Sequence, residues 1–444
     1  MPKIHFERFD NLLKFLPKSK IKAGDGQENG KYPFFTSSAT RSKFIDTFNY
    51  EDESLIFGSG GNASVHYCNE KFATSTDCFV VNKNSENIDM KYVYYYLKSN
   101  IRILEDGFKG AGLKHISKKY ISEIKIPLLP LQDQQKIAQQ LSQIEELINK
   151  REESIKLLDK LTKSTFLDMF ESILTNKNPE NLLSFEQMAV IDTNMTIDFE
   201  KYANFPHIGI ASIEKDTGKI LDYKLVKDDN LISGKYTFDE RHILYSKIRP
   251  NLNKVALPNF RGLLSADGYP ILPKDNMNRI FLAHLLRTNF FLNYILGHCD
   301  RANIPKVNKK QLSGFSCNIP DKPLQDKFAE IVTQIEQTKT FYQNSLIELN
   351  NLFGSIAQKA FKGELDVSKI ELIQKEQEET TMAIKLDENR LLEEIKKGDF
   401  EVSKYVNEHQ NYDVIKDMIF KLIDDERILQ KFDKELKKIV LEVR

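Results

Sequence analysis

The chain has 444 residues with 64 basic and 64 acidic side chains, so its formal net charge is zero and any case for nucleic-acid binding has to rest on local patches. Its four cysteines (Cys68, Cys78, Cys299, Cys317) form no CxxC pair, and no apolar run approaches the ~20 residues of a membrane span. These features, with an amino terminus that lacks a charged-then-apolar leader pattern, exclude a disulfide scaffold and a membrane protein and predict a cytoplasmic chain with reduced core thiols. The length predicts roughly three domains at the usual ~150 residues each.

Residues 1–127 read as a mixed α/β segment. Short β-branched or aromatic runs at Lys31–Ser38, Ser54–Phe57 and Asp77–Val81 are bounded by turn residues and predict strands. Gly58-Ser-Gly-Gly-Asn62 between two of them lacks the spacing of a phosphate loop, so a hairpin turn is the plainer reading. Met90–Leu104 predicts a helix with Tyr92, Tyr95 and Tyr96 packed inward.

Residues 128–176 carry the first long helix, starting at Pro130-Leu-Gln-Asp133, with apolar positions at Ile137, Leu141, Ile144, Ile148, Ile155 and Leu158. Residues 177–318 form a second segment of similar size. In it Ile208–Ala211, Ile243–Tyr245 and Val255–Leu257 predict strands and Ile280–Leu296 an apolar helix. Residues 319–365 repeat the long helix: Pro323-Leu-Gln-Asp326 recurs, and 191 residues on from the first stripe stand Phe328, Val332, Ile335, Lys339, Leu346 and Leu349. Tyr342 answers Arg151, and Lys339 interrupts the second stripe. A 4-3 pattern held this long predicts a coiled-coil seam. Two unrelated amphipathic helices would not share one frame. Residues 366–444, a Glu/Gln-rich linker followed by helical spacing at Leu391, Leu392, Ile395, Ile415, Ile419, Leu422 and Ile423, predict a helical extension without a duplicate. The expected fold class is therefore α+β: two globular segments separated by two long antiparallel helices about a pseudo-twofold axis, plus a C-terminal helical extension.

Enzyme motifs are missing: no Asn/Asp-Pro-Pro-Tyr/Phe for base methylation, no Walker lysine loop, no HExxH and no G-x-S-x-G. The histidines are scattered, so no metal or catalytic residue is expected. The sharpest chemical candidate is Tyr245–Lys254, where Lys247, Arg249 and Lys254 interleave with Asn251 and Asn253. Arginine suits guanine, asparagine suits adenine, and lysine holds phosphates. Arg301, Asn303 and Lys306 offer a similar set. In the first segment Lys109, Lys114 and His115 hold the matching place. A solvated basic loop is the plain alternative, and the matched placement in both halves weighs against it.

The sequence resembles the DNA-specificity subunits of type I restriction–modification systems. The resemblance rests on Tyr32-Pro-Phe-Phe-Thr-Ser-Ser38, Gly60–Tyr67, Gly234–Phe238, Ile243–Pro250, Ser265-Ala-Asp267 and Ile126-Pro127 with Pro130–Ala138. It covers roughly residues 1–365; Lys327-Phe328 is degenerate, and the tail has no recognised counterpart. Ser37, Ser38 and Ser59 complete the candidate DNA-contacting set. The resemblance implies a non-catalytic subunit with two target-recognition domains, each reading half of a bipartite site in double-stranded DNA. It implies helices that set the spacer and bind two methyltransferase subunits, which would carry S-adenosylmethionine; this chain would hold no cofactor. A restriction–translocation subunit is a further partner it allows. Rival readings are a coiled-coil scaffold that binds proteins without DNA recognition and a self-contained restriction enzyme.

Overall fold

The computed structural model describes residues 5–40, 43–176, 181–299, 305–372, 388–396, 419, 421–423, 427–433 and 438–443. Its frame is a pair of helices, Leu131–Leu174 and Lys322–Phe361, of 44 and 40 residues. At ~1.5 Å per residue they are about 66 and 60 Å long. They run antiparallel. Phe170 meets Phe328 edge-on at 5.4 Å, Lys339 Nζ donates to Asp159 Oδ1 at 2.5 Å, and the Arg151 guanidinium lies 4.2 Å over the Tyr342 ring. At the other end Ile137, Ala138 and Leu141 share a core with Ala357, Ala360 and Phe361. Exchanging the halves turns Phe170 against Phe328 into Phe361 beside Ile137, which is the pseudo-twofold relation the heptad frame predicts.

Each globular core closes on both helices. The first takes the start of one and the end of the other; the second takes Phe166, Phe170 and Leu174 together with Phe328 and Val332. Burying each such ring contributes roughly 1.5–3 kcal/mol. Between these ends, from Glu145 to Leu161 and from Glu336 to Ile356, neither helix has a buried residue.

The two Pro-Leu-Gln-Asp runs are not equivalent. Pro130 caps the first helix, whereas Pro323 lies inside the second, so the identical letters are two residues out of step with the repeat. The true counterparts are Gln134 and Gln325, 0% and 1% exposed. Gln134 Oε1 accepts from Asp89 N at 2.9 Å, while its Nε2 donates to Asn87 O and Leu129 O at 2.9 and 2.8 Å. Gln325 Oε1 accepts from Asn278 N at 2.8 Å, and its Nε2 donates to Pro320 O at 2.8 Å and Asn276 O at 3.3 Å. Only an amide supplies an acceptor and two donors at one point. Asp89 and Asn278 are in turn the N-caps of helices Met90–Ser99 and Arg279–Leu285, so one buried side chain ties each short helix to its long one.

The two segments carry the same four-stranded antiparallel sheet. In the first its order is Leu13–Phe15, Cys78–Lys83, Ser54–Gly58, Val65–Cys68, and in the second Ala189–Ile191, Gly268–Pro273, Ile243–Ser246, Val255–Ala256. The Gly58–Asn62 stretch is the hairpin turn joining two of these strands, with Gly61 at φ 82°. Tyr92, Tyr95 and Tyr96 are buried. Cys68, Cys78 and Cys317 are buried thiols, and burial pushes Cys78 up to about 11 and Cys317 up to about 12.

Four expectations need correction. The helix expected over Met90–Leu104 stops at Ser99 and restarts as Arg102–Glu105. The apolar helix of the second segment is two helices, Arg279–Leu285 and Asn289–Gly297, because Thr288 caps a new start by accepting from Phe291 N at 3.2 Å. The run at Ile208–Ala211 is strand only to Ile208 and then turns into a 3-10 helix, Ile210–Ser212. The tail is helical at Glu388–Lys396 but ends in an antiparallel hairpin, Ile428–Asp433 against Lys438–Val443. Leu391, Leu392, Ile395, Ile419, Leu422 and Ile428 form its small core, and Ile415 lies outside the described residues. No helix among the described residues is long and apolar enough to cross a membrane.

Gln325→Ala strands buried polar groups and should cost about 2–4 kcal/mol. Gln132→Ala, at the exposed glutamine of the first Pro-Leu-Gln-Asp run, should stay within ~0.5 kcal/mol. Urea midpoints measure both, and equal losses would contradict the assignment.

Candidate nucleic-acid interface

Both sheets end in a loop held by the same two backbone hydrogen bonds. In the first segment Ser59 N donates to Asp77 O at 2.8 Å and Ile116 N to Ser59 O at 3.1 Å. In the second Lys247 N donates to Asp267 O at 3.0 Å and Val307 N to Lys247 O at 2.7 Å. Ser59 and Lys247 therefore stand at the same place in the two halves. The second part of each frame is the Lys109–His115 loop in one half and Pro305-Lys306 in the other. Gly60 bridges to His115, and Ile248 to Lys306.

The first frame gathers the serines with the basic loop. Ser37 Oγ and Ser59 Oγ both donate to Asp77 O, at 2.8 and 2.9 Å, so these hydroxyls hold the frame; Ser59 is 8% exposed. His115 Nδ1 donates to Ser59 O at 3.1 Å, which leaves its ring on the surface. Ser38, Lys109 and Lys114 are exposed around it. Sequence reasoning missed Lys18, Lys20 and Lys22. Ile21 bridges to Ser75 and its carbonyl accepts from Thr76 N, which seats these three exposed lysines beside Asp77. The signal was there: a lysine at every second position puts all three on one edge of an extended chain.

In the second frame the Lys247 ammonium sits 4.8 Å over Tyr269 and 5.7 Å over Tyr236, aromatic partners the sequence did not point to. Burial, then the neighbouring Lys306 ammonium, pulls its pKa below the usual lysine value. Arg249 is exposed and held left-handed at φ 49° by its N–H to Pro305 O at 2.8 Å and by the following turn. Lys306 is exposed, 4.0 Å from Asp267. Asn251 is exposed. Two candidates are turned inward. Asn253 Nδ2 donates to Arg287 O at 2.9 Å, and Lys254 Nζ donates to Ile210 O at 2.8 Å. Arg301 and Asn303 lie outside the described residues. No group of three or more metal-ligating side chains occurs among the described residues.

The sequence matches the family described as "Type I restriction modification DNA specificity domain" twice, over residues 8–157 and 184–351. It is 28% identical over 395 residues to the EcoDI specificity subunit of Escherichia coli, covering 80% of this chain and 87% of that one. Against the MjaVIII specificity subunit of Methanocaldococcus jannaschii it is 25% identical over 365 residues, 74% of this chain and 85% of the relative. The crystal structure of a type I restriction–modification S subunit from M. genitalium superposes with a TM-score of 0.55 at 16% identity, covering 81% of this chain and 97% of that one, which shows a shared fold. With two family domains, each built on one copy of the same loop frame, the chain belongs to the type I restriction–modification DNA-specificity family.

Proposed function

We propose that this chain is the sequence-reading, non-catalytic subunit of a type I restriction–modification complex, each globular segment reading one half of a bipartite site in double-stranded DNA. The observation that carries this is the duplicated frame: the same backbone bonds hold Ser59 in one half and Lys247 in the other, and different side chains are exposed around them, Ser38, Lys109, Lys114 and His115 in one and Arg249, Asn251 and Lys306 in the other. A bipartite reader needs such a pair, since base edges are distinguished by donor and acceptor pattern. The rigid helix pair holds the two frames at a fixed separation, as half-site spacing requires. Lys18, Lys20, Lys22 and Lys306 suit phosphates, and Arg249 and Asn251 suit base edges.

The middle of the helix pair suits protein partners. Leu147, Leu157, Phe341 and Ile347 are 52%, 52%, 66% and 60% exposed, a run of apolar surface unusual for a protein alone in water. Two methyltransferase subunits related by the pseudo-twofold axis would cover it. Those partners would bind S-adenosylmethionine, and a restriction–translocation subunit would join through them. The tail's small helix-and-hairpin core fits a docking module on a partner.

In the assembled complex, Arg249→Ala should weaken binding by about 1–3 kcal/mol and relax one half-site only, read by fluorescence anisotropy and by sequencing of methylated sites. Lys254→Ala should instead lower stability by ~1 kcal/mol and leave the recognised sequence unchanged. Unchanged binding and methylation in Arg249→Ala would contradict the assignment. Replacing Lys18, Lys20 and Lys22 with glutamine should flatten the log–log salt slope by about 0.9 for each phosphate no longer neutralised, for all sequences alike; an unaltered slope would place these lysines off the DNA.

A further inference from the structure

The internal repeat is broken at one place in a way that leaves space. In the first half Tyr95 is 2% exposed, its hydroxyl donates to Glu145 Oε2 at 2.8 Å, and its ring stands edge-on to Phe353 at 5.9 Å. Lys98 closes the group by pairing with Glu145. The shared N-cap bonds of Asp89 and Asn278 fix the equivalences: Tyr95 answers to His284 and Lys98 to Arg287. Along the long helices Glu145 answers to Glu336 and Phe353 to Thr162. The two rings that fill this place in the first half are thus an imidazole and a threonine in the second. The His284 ring is drawn onto Phe166 and Phe328, at 6.3 and 5.3 Å. Arg287 turns Nε and Nη2 to Val255 O at 3.0 and 2.5 Å. What remains is a cavity of about 410 Å³ where the second segment meets the helices, lined among others by Thr162, Phe166, His284, Arg287, Glu336 and Lys339.

We propose that this cavity is a binding site for a hydroxy-aromatic group, a phenol whose ring lies against Thr162 and Phe166 and whose hydroxyl donates to Glu336. The first half is the template, because there the equivalent carboxylate accepts a phenol hydroxyl. Glu336 pairs with Lys339 at 3.6 Å, and a carboxylate has acceptor sites to spare beyond one ion pair. The volume falls in the ~300–1,000 Å³ range of small-molecule sites, and burial, then the neighbouring Arg287 cation, holds the His284 pKa well below its usual value, so a neutral imidazole stands beside the charged Arg287 in the wall. The site lies behind the Arg249–Lys254 loop, whose inward-turned Asn253 lines it, while the exposed Arg249 and Asn251 do not.

Saturation-transfer NMR on the full chain, with p-cresol and N-acetyl-tyrosinamide as probes, tests it. Saturable p-cresol binding is expected, with toluene, which lacks the hydroxyl, at least tenfold weaker. Thr162→Phe, which installs the first half's ring, should weaken p-cresol at least tenfold, and the half-exposed substitution Glu336→Gln about tenfold with the fold kept. Binding of both probes assigns the group to a protein's tyrosine, and binding of p-cresol alone to a free phenol; either supports the site. No saturable p-cresol binding, toluene as tight as p-cresol, or undiminished binding by Glu336→Gln would overturn it.

Discussion

The fold depends on one constraint: neither globular core is complete without both long helices. Phe166 and Phe170 reach the second core from the end of one helix, and Phe328 and Val332 from the start of the other. Because each core clamps two helix ends, the helices cannot slide without opening both cores at once. Long isolated helices are marginal in water, and this pair has no buried residue through its middle. Its alignment is enforced from the ends, which leaves apolar side chains of the middle exposed.

Much of this was legible in the sequence because a heptad frame is a one-dimensional signal. The stripe from Ile137 to Leu158 and its copy 191 residues on describe a seam before any coordinates are known. Its irregular members were legible as irregular: Arg151 and Lys339 break the stripe, and the structure shows them satisfied by Tyr342 and Asp159. The identity of Pro-Leu-Gln-Asp was misleading for the same reason it was noticeable. Four identical letters outweigh the 191-residue register that the heptad stripe carries and the hydrogen bonds of Gln134 and Gln325 fix.

The candidate interface loops were less legible, since a sequence shows which residues are polar but not where their atoms are engaged. Lys254 and Arg249 look alike in the string, yet one ammonium ends on Ile210 O and the other cation reaches solvent. Ser59 and Lys247 look unrelated, yet the same pair of backbone bonds holds both. The helix split at Thr288 and the hairpin of the tail were lost for a third reason. Apolar runs of this length satisfy either period, and a single capping hydroxyl or a tertiary partner decides between them.

The departures from symmetry in the seam explain why a nearly twofold chain closes on itself. Consider two copies pairing first helix with first helix in the same antiparallel register. Asp159 would then face Ile148, and Arg151 would face its own copy. Pairing second helix with second helix would set Lys339 against Asn350 and Tyr342 against Tyr342. Only the mixed pair joins Lys339, 15% exposed, to Asp159 and lays Arg151 over Tyr342. A partly desolvated ammonium without its carboxylate is costly, and two facing guanidinium groups repel. A seam of apolar residues alone would accept all three pairings about equally. The two polar interruptions that weaken the heptad stripe are what select one helix of each kind, and with it one copy of each loop frame per helix pair.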